Sequence, residues 1–386
     1  MLLASLIFIG VGILLFCSKY LFSFSHKLNL RPLDNSNPDF AVLIPARDES
    51  KVIEDLFKSL KGQTHPVNPN SVYIIVESPD DPTVALVEKY HFKTIIRSHP
   101  EKQRKGYAIS EAVHTILKQK HFDLYFIFDA DNTLDRNYFK EMLKTYEKGY
   151  DIGIGCRKIK NKTSATSVGS GLIFTIINVL MNYSFSRRNL SCIASGTGYY
   201  ISAKIIDQEK GFPFHTMTED YEISLYSTIH NYCSFYNEKA IFYDAQPETY
   251  SQYFFQRARW EKGYFEARRL YFSQLLRKLR FENPNFASVY NFFVGVYDLV
   301  FILIGLILLL LDFTLKSPFY LLIGIISIYF LLILFTAFLL YIEKYHLPLK
   351  IKLKTLFFHP LLLLTYVPCL FVVILKRDLA WRRIEH

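Results

Sequence analysis

Cysteine is scarce in this chain: five residues among 386 (Cys17, Cys156, Cys192, Cys233, Cys369), with no CxxC pair and no histidine partner at metal-ligand spacing. That excludes a disulfide frame and a zinc site, and it suits a reducing compartment. Tryptophan is scarcer still, with two. No nucleic-acid motif accompanies the excess of 45 Lys and Arg over 35 Asp and Glu, so the formal charge of +10 points to anionic substrates or an anionic membrane face. Charge is nearly missing from long stretches at the two ends, whereas the middle has ordinary globular composition. With 51% hydrophobic residues, disorder is excluded and a purely soluble protein is disfavoured.

Residues 2–24 hold one charge, Lys19, near the end of the run where it can snorkel. The run is long enough to cross a bilayer. It lacks the basic n-region and small-residue cleavage site of a signal peptide, so residues 1–25 are expected to form a retained anchor. Lys19, Lys27 and Arg31 all come late, and the positive-inside rule then puts the following domain in the cytoplasm. Three further apolar segments, 291–311, 318–342 and 360–375, predict a C-terminal membrane region over 290–376. Asp298 interrupts the first. The third holds Pro360 and Pro368 between basic flanks, with Lys350, Lys352 and Lys354 before it and Lys376, Arg377, Arg382 and Arg383 after it. A proline-bent re-entrant hairpin and a crossing against the charge bias both fit that segment.

Residues 40–44 form a continuous apolar run of the kind buried on both faces of a parallel sheet. The loop Pro45-Ala46-Arg47-Asp48-Glu49-Ser50 follows, and Val52, Ile53, Leu56, Phe57 and Leu60 then recur at helical spacing. The unit repeats, with strands at 71–76, 94–96 and 124–128 and helices at 84–90 and 106–117. This alternation predicts an α/β domain with a largely parallel sheet, whose ligands gather at the carboxyl ends of the strands.

Three polar clusters stand in that context. Asp129-Ala130-Asp131 follows the strand 124–128. Side chains two apart on extended backbone share a side, and carboxylates so close call for a hard cation such as Mg2+; a solvated acidic turn is the competing reading. Thr218-Glu219-Asp220 opens a helical pattern. Thr218 suits a cap and the acids suit the positive helix end, while a carboxylate here also suits a general base. Gln256, Arg259 and Trp260 fall on one helix face at i, i+3 and i+4; the planar fork of arginine fits a pyrophosphate, and the flat face of tryptophan fits a sugar ring. From Arg257 to Arg280, eight basic residues are set against Glu261 and Glu266 and interleaved with Phe, Tyr and Leu. That is the pattern of a helix on an anionic lipid surface.

In their order along the chain, Pro45-Ala-Arg-Asp-Glu49, an acidic turn after the second strand, Lys105-Gly-Tyr-Ala, Asp129-Ala-Asp131, Thr218-Glu-Asp220 and Gln256-Arg-Ala-Arg-Trp260 precede apolar spans. In this the chain resembles the membrane-bound family 2 glycosyltransferases of GT-A fold, the group of cellulose, chitin, hyaluronan and poly-N-acetylglucosamine synthases. The resemblance covers residues 38–275, expected as a cytoplasmic GT-A domain with a mixed, largely parallel sheet flanked by helices. It implies uracil and ribose contacts at Pro45, Ala46 and Glu49, further nucleotide contacts at Asp80 and Asp81, and a donor contact at Lys105. It implies nucleotide and metal contacts at Asp129 and Asp131, and a catalytic base at Asp220. Gln256, Arg259 and Trp260 match the element that holds the diphosphate and stacks the acceptor, and residues 195–198 (Ser-Gly-Thr-Gly) resemble the acceptor-side turn. The chain departs from the pattern at Asp48, where Asn is usual, at an inserted-looking Ser78-Pro79, and at Arg104 in place of Gly. Its tail, 380–386, resembles the ending of many bacterial members.

The implied reaction is an inverting transfer of a hexose or N-acetylhexosamine from a UDP-sugar, with UDP-GlcNAc and UDP-glucose foremost, assisted by Mg2+ or Mn2+. The implied acceptor is a lipid or glycan at the cell membrane, with membrane lipids as partners and room for an accessory membrane subunit. Elongation of a cell-surface polysaccharide is the leading expectation. Single transfer to a lipid is the second, and an inactive membrane scaffold is the reading from another class.

Overall fold

The computed structural model describes residues 1–22, 30, 32–33, 37–295 and 297–375. Lys27, Arg31, the basic flank beginning at Lys376 and the tail 380–386 lie outside the described residues.

Eight strands form one sheet: β1 (Phe40–Pro45), β2 (Val72–Val76), β3 (Lys93–Ile96), β4 (Leu124–Ile127), β5 (Thr133–Leu134), β6 (Ile152–Ile159), β7 (Tyr199–Ser202) and β8 (Ser234–Asp244). Their spatial order is β3-β2-β1-β4-β7-β6-β8-β5. The first four are mutually parallel, as the apolar runs predict. Beyond them β7 runs antiparallel to both β4 and β6, β8 lies parallel to β6, and β5 closes the edge antiparallel to β8. The sheet is therefore mixed: β7 and β5 run against the other six strands.

Helices cover both faces, which is why β1, β2 and β4 are buried almost throughout. Alternation along β1 divides the core: Ala41 and Leu43 pack with Ile109, Val113 and Ile223 on one face, and Val42 and Ile44 with Ile53, Phe57 and Met142 on the other. The helix Tyr250–Lys278 starts at a capping box formed by Thr249 and Gln252. It carries Ala267, Tyr271 and Leu275 into the first of these clusters.

Among the described residues, four helices are long and apolar enough to cross a membrane: Leu2–Phe22, Ala165–Ser186, Phe319–Glu343 and Leu349–Val373. The second was not expected; its run mixes Ser, Thr, Gly and Asn with the apolar residues, and 56% of its apolar window is buried in the protein. The expected segment 291–311 is divided between the helices Phe286–Val294 and Tyr297–Lys316, with Gly295 at φ +52 between them. Asp298 does not interrupt a lone span. Its carboxylate lies 2.7 Å from Lys19 Nζ, which also donates to the Gly295 carbonyl at 2.6 Å, so Lys19 is paired inside the protein instead of snorkelling. The helix Leu2–Phe22 can lie this close because a Cβ on Gly12 would fall 2.7 Å from the Asp298 carbonyl oxygen. The proline-bearing segment does not double back at Pro360. Helical hydrogen bonds continue through Thr365, from its N–H to Leu361 O at 3.1 Å and from Cys369 N–H to Thr365 O at 3.1 Å.

Candidate active site

The site grows from the carboxyl end of β4. Phe128 N–H still bonds to Leu43 O of β1, and the chain then turns at residues 130–131, so the expectation of an extended Asp-Ala-Asp backbone is corrected. Asn132, fully buried, makes the turn. Its Oδ1 accepts from Asp129 N–H (3.2 Å) and Thr197 Oγ1 (2.5 Å), and its Nδ2 donates to Asp131 Oδ1 (3.2 Å) and Asp244 Oδ1 (2.8 Å). The carboxylates of Asp129, Asp131 and Asp244 converge as a result, with one oxygen of each within 4.8 Å of the others. Asp244 ends β8 and is 2% exposed. Arg157 of β6 grips its Oδ2 through two nitrogens. Burial, and then the charges of Asp244 and Asp129, push the Asp131 carboxyl well above the usual range. An all-oxygen donor set of this kind fits a hard divalent cation.

A second set of groups comes from the helix Glu219–Ile229 and from Lys105, the first residue of the helix Lys105–Leu117. Gly106 lets that helix press against the chain at 214, since a Cβ there would fall 2.0 Å from the Phe214 carbonyl oxygen. Lys105 Nζ consequently reaches Asp129 (2.5 Å), the Gly196 carbonyl (2.7 Å) and Glu219 (3.7 Å). Burial by itself would lower the ammonium's pKa, but Asp129 and Glu219 outweigh it and raise it. Burial pushes Glu219 up to about 8, and Lys105 only partly offsets this. Asp220 is also raised by burial, against the stabilising N–H groups of Tyr221 and Gly196. Gly196 stands at φ +86, a conformation glycine adopts without strain. Thr218 makes no side-chain cap, contrary to one reading of its sequence. It packs instead against the helix Tyr250–Lys278, where a Cβ on Gly263 would lie 2.9 Å from the Thr218 amide nitrogen.

That close crossing brings Arg259 to the cluster, where burial lowers its pKa and Glu219, Asp129 and Asp220 only partly offset it. Gln256 is half-buried, with an Oε1 that has no partner among the described residues. Trp260 turns toward Phe174 (centroids 5.5 Å apart) and takes the Arg257 guanidinium over its ring at 3.9 Å. Arg257 and Arg268, counted in the sequence as lipid-facing, are 0% and 5% exposed. The basic surface of this helix is correspondingly narrower than its sequence implies.

The loop after β1 packs beside the acidic turn. Ala46 N–H bonds to Ile75 O (2.8 Å), and Asp48, at φ +53, donates its N–H to Asp81 Oδ2 (2.9 Å). Asp81 Oδ1 accepts from Thr83 N–H at 2.8 Å, so both of its oxygens bind loop amides, while Asp80 is exposed. The acid directly at the end of β2 is Glu77, paired with Arg47 (3.0 Å) and Arg97 (3.6 Å). Glu49 lies near enough for its charge to act on Asp131. Pro45 closes β1 itself.

The family model "Glycosyltransferase like family 2" matches residues 38–263, more than half of the chain. The chain belongs to this family. As a family 2 glycosyltransferase it is similar to the probable glycosyltransferase YdaM of Bacillus subtilis, 26% identical over 235 residues, which cover 58% of this chain and 55% of that protein. It is also similar to the dolichol-phosphate mannosyltransferase of Pyrococcus furiosus, 28% identical over 123 residues, 31% of this chain and 33% of that one. The chain thus matches about half or less of the length of these curated relatives. In fold it is similar to the mannosyltransferase PcManGT from Pyrobaculum calidifontis, solved with GDP-Man and Mn2+, at a TM-score of 0.58 and 12% identity over 96% of this chain and 100% of that one. The likeness establishes the GT-A-like fold.

Within this glycosyltransferase, Asp244, Arg157, Asn132 and Glu77 sit in or beside the candidate site without having been singled out from sequence, and Glu219, noted there only as a neighbour of Asp220, joins them. Asp244 carried a usable signal: like Asp129, it is an acid at the carboxyl end of a strand.

Proposed function

We propose that this glycosyltransferase moves a hexose or N-acetylhexosamine, with inversion, from a UDP-sugar to a membrane-associated acceptor and elongates a cell-surface polysaccharide. The observation that carries the reading is the convergence of Asp129, Asp131 and Asp244 with Lys105, Glu219, Asp220 and Arg259 at the ends of the strands. The three carboxylates would hold Mg2+ or Mn2+, which supplies a Lewis acid for the departing diphosphate. Lys105 and Arg259 bring fixed positive charge to the same leaving group. Asp220 takes the proton of the attacking hydroxyl. The new C–O bond forms opposite the bond to the diphosphate as that bond breaks, and the anomeric carbon inverts. Pro45, Ala46 and Glu49 contact the nucleotide, together with Glu77, Asp80 and Asp81 after β2. Gln256 holds the diphosphate with Arg259, and Trp260 offers its uncovered surface to the acceptor.

The apolar helices support a place in the cell membrane. In this reading residues 1–25 anchor the chain, residues 38–275 form the cytoplasmic catalytic domain, and residues 290–376 form the C-terminal membrane region. A second reading, a single transfer to a lipid, draws on the relative named as a dolichol-phosphate mannosyltransferase. The test is to incubate membranes carrying the enzyme with UDP-GlcNAc, UDP-glucose and GDP-mannose, reading nucleoside diphosphate release and product size. A long polymer from a UDP-sugar supports the first reading, and a monoglycosylated lipid selects the second. Release from none of the three refutes both.

A further inference from the structure

We infer that Gln246 and Ser170 are positioning residues that hold Asp244 in the carboxylate cluster, at the end of a one-way hydrogen-bond chain that begins at Arg257. The inference rests on the reading that the cluster holds a divalent cation. Arg257 Nη2 donates to Ser170 Oγ at 2.9 Å, Ser170 Oγ donates to Gln246 Oε1 at 2.7 Å, and Gln246 Nε2 donates to Asp244 Oδ2 at 2.7 Å. Asp244 Oδ1 then accepts from Asn132, the residue that shapes the Asp129–Asp131 turn. Arg257 and Ser170 are 0% exposed and Gln246 3%, so water does not compete along the chain. The backbone of Gln246 is pinned as well, its N–H to Asn161 Oδ1 (2.7 Å) and its carbonyl to Asn161 Nδ2 (2.8 Å).

The direction of the bonds follows from chemistry. A guanidinium only donates and an ionised carboxylate only accepts, so the hydroxyl and the amide between them must each pass donation the same way. Bonds aligned like this in a low-dielectric interior polarise one another and favour the carboxylate at the receiving end. Asp244 needs such support, because two other carboxylates lie within 4.8 Å and repel it. Arg157 gives it charge. The chain through Gln246 fixes where the carboxylate points, and Asn132 passes that position to the turn. Three separate elements thereby meet at the cluster: the end of β8, the helix Ala165–Thr175 and the helix Tyr250–Lys278.

The experiment is a titration of the full-length protein, in detergent or nanodiscs and without nucleotide, with Mn2+ while free Mn2+ is followed by EPR. Outer-shell partners of this kind are worth roughly 10- to 100-fold in metal affinity. Gln246→Met, which keeps the volume and loses the donor, should weaken Mn2+ binding by about 10-fold or more, and Ser170→Ala by a smaller factor of about 3 or more. Tyr200→Phe, which removes a different buried hydrogen bond from the same sheet (3.0 Å, to Tyr150 O), should leave it unchanged. Wild-type protein that takes up no Mn2+ overturns the metal reading and the chain's role with it. Wild-type binding with Gln246→Met and Ser170→Ala both within twofold overturns the positioning role alone, as does an equal loss in Tyr200→Phe.

Discussion

On the proposed reading, replacing Asp220 by Asn separates base chemistry from donor binding. The Asp220 carboxylate accepts the N–H of Gly196 and of Tyr221. An asparagine Oδ1 can still accept from those amides, so the side chain keeps its place while losing the capacity to take a proton. General-base assistance is worth about 100- to 10,000-fold, which at 1.36 kcal/mol per decade is about 2.7–5.4 kcal/mol of barrier. Donor binding should move the other way or not at all. Lys105 meets Asp129, Gly196 and Glu219 directly and feels Asp220 only through its charge. Removing one negative charge beside Lys105 and Arg259 therefore makes the cleft slightly more receptive to a diphosphate. Turnover would be read as UDP release from the preferred UDP-sugar, and binding as the Kd of UDP. We expect kcat to fall at least 100-fold with the UDP Kd within about threefold of wild type. Turnover within tenfold of wild type, or a parallel collapse of UDP affinity, would refute the assignment of Asp220 as the base.

Glu219, lifted by burial to about 8, keeps a proton in the folded state that the unfolded chain gives up near its ordinary value of 4.5. Its contribution to stability is therefore complete at low pH and disappears as pH rises through that window; melting of metal-free protein should fall from pH 5 to pH 8.5, and more shallowly in Glu219→Gln. Gly263→Ala improves helix propensity by about 1 kcal/mol but drives a methyl to 2.9 Å from the Thr218 backbone nitrogen. Overpacking of about 1–3 kcal/mol should win, so melting temperature and turnover both drop, and a more stable, fully active variant would contradict the packing described. Exhaustive chelation should abolish sugar transfer, with either Mg2+ or Mn2+ restoring it on readdition; undiminished transfer in excess chelator would remove the cation from the reaction.

How far the fold was legible depends on which element carried the signal. The strands β1, β2 and β4 were readable because a strand buried on both faces is apolar at nearly every position, and their boundaries fell within two residues. The part of the sheet beyond β4 was not, since β8 alternates and pairs with β6 and β5, a long-range choice that no local period encodes. Asp129, Asp131 and Asp220 stood out as acids at element ends. Asp244 did not, because its partners Arg157 and Asn132 are 87 and 112 residues away in sequence. The long apolar helices showed the same division. Leu2–Phe22 was plain from its lack of charge, while Ala165–Ser186 was hidden by polar residues such as Ser170, Asn178 and Asn182, which the fold buries and bonds. Asp298 read as a blemish in an apolar run only because its partner, Lys19, lies 279 residues earlier.

The charge arrangement favours cooperative binding of cation and donor. Asp129, Asp131, Glu219, Asp220 and Asp244 face Lys105, Arg157 and Arg259, and the acids outnumber the bases. Without further positive charge, burial raises the proton affinity of Glu219 and Asp131. A cation relieves the repulsion among the carboxylates, and with it in place they repel a diphosphate less, so each component binds more weakly alone than with the other. A dication offsets the excess of five acids over three bases and gives the diphosphate a ligand. Departure of the diphosphate then adds one unit of negative charge at the place where Lys105 and Arg259 converge, and that added charge strengthens their hold on the product relative to the donor. Transfer is thereby favoured and release of the nucleoside diphosphate slowed, so product inhibition should be stronger than donor affinity alone would suggest, and should weaken in Arg259→Gln more than donor binding does.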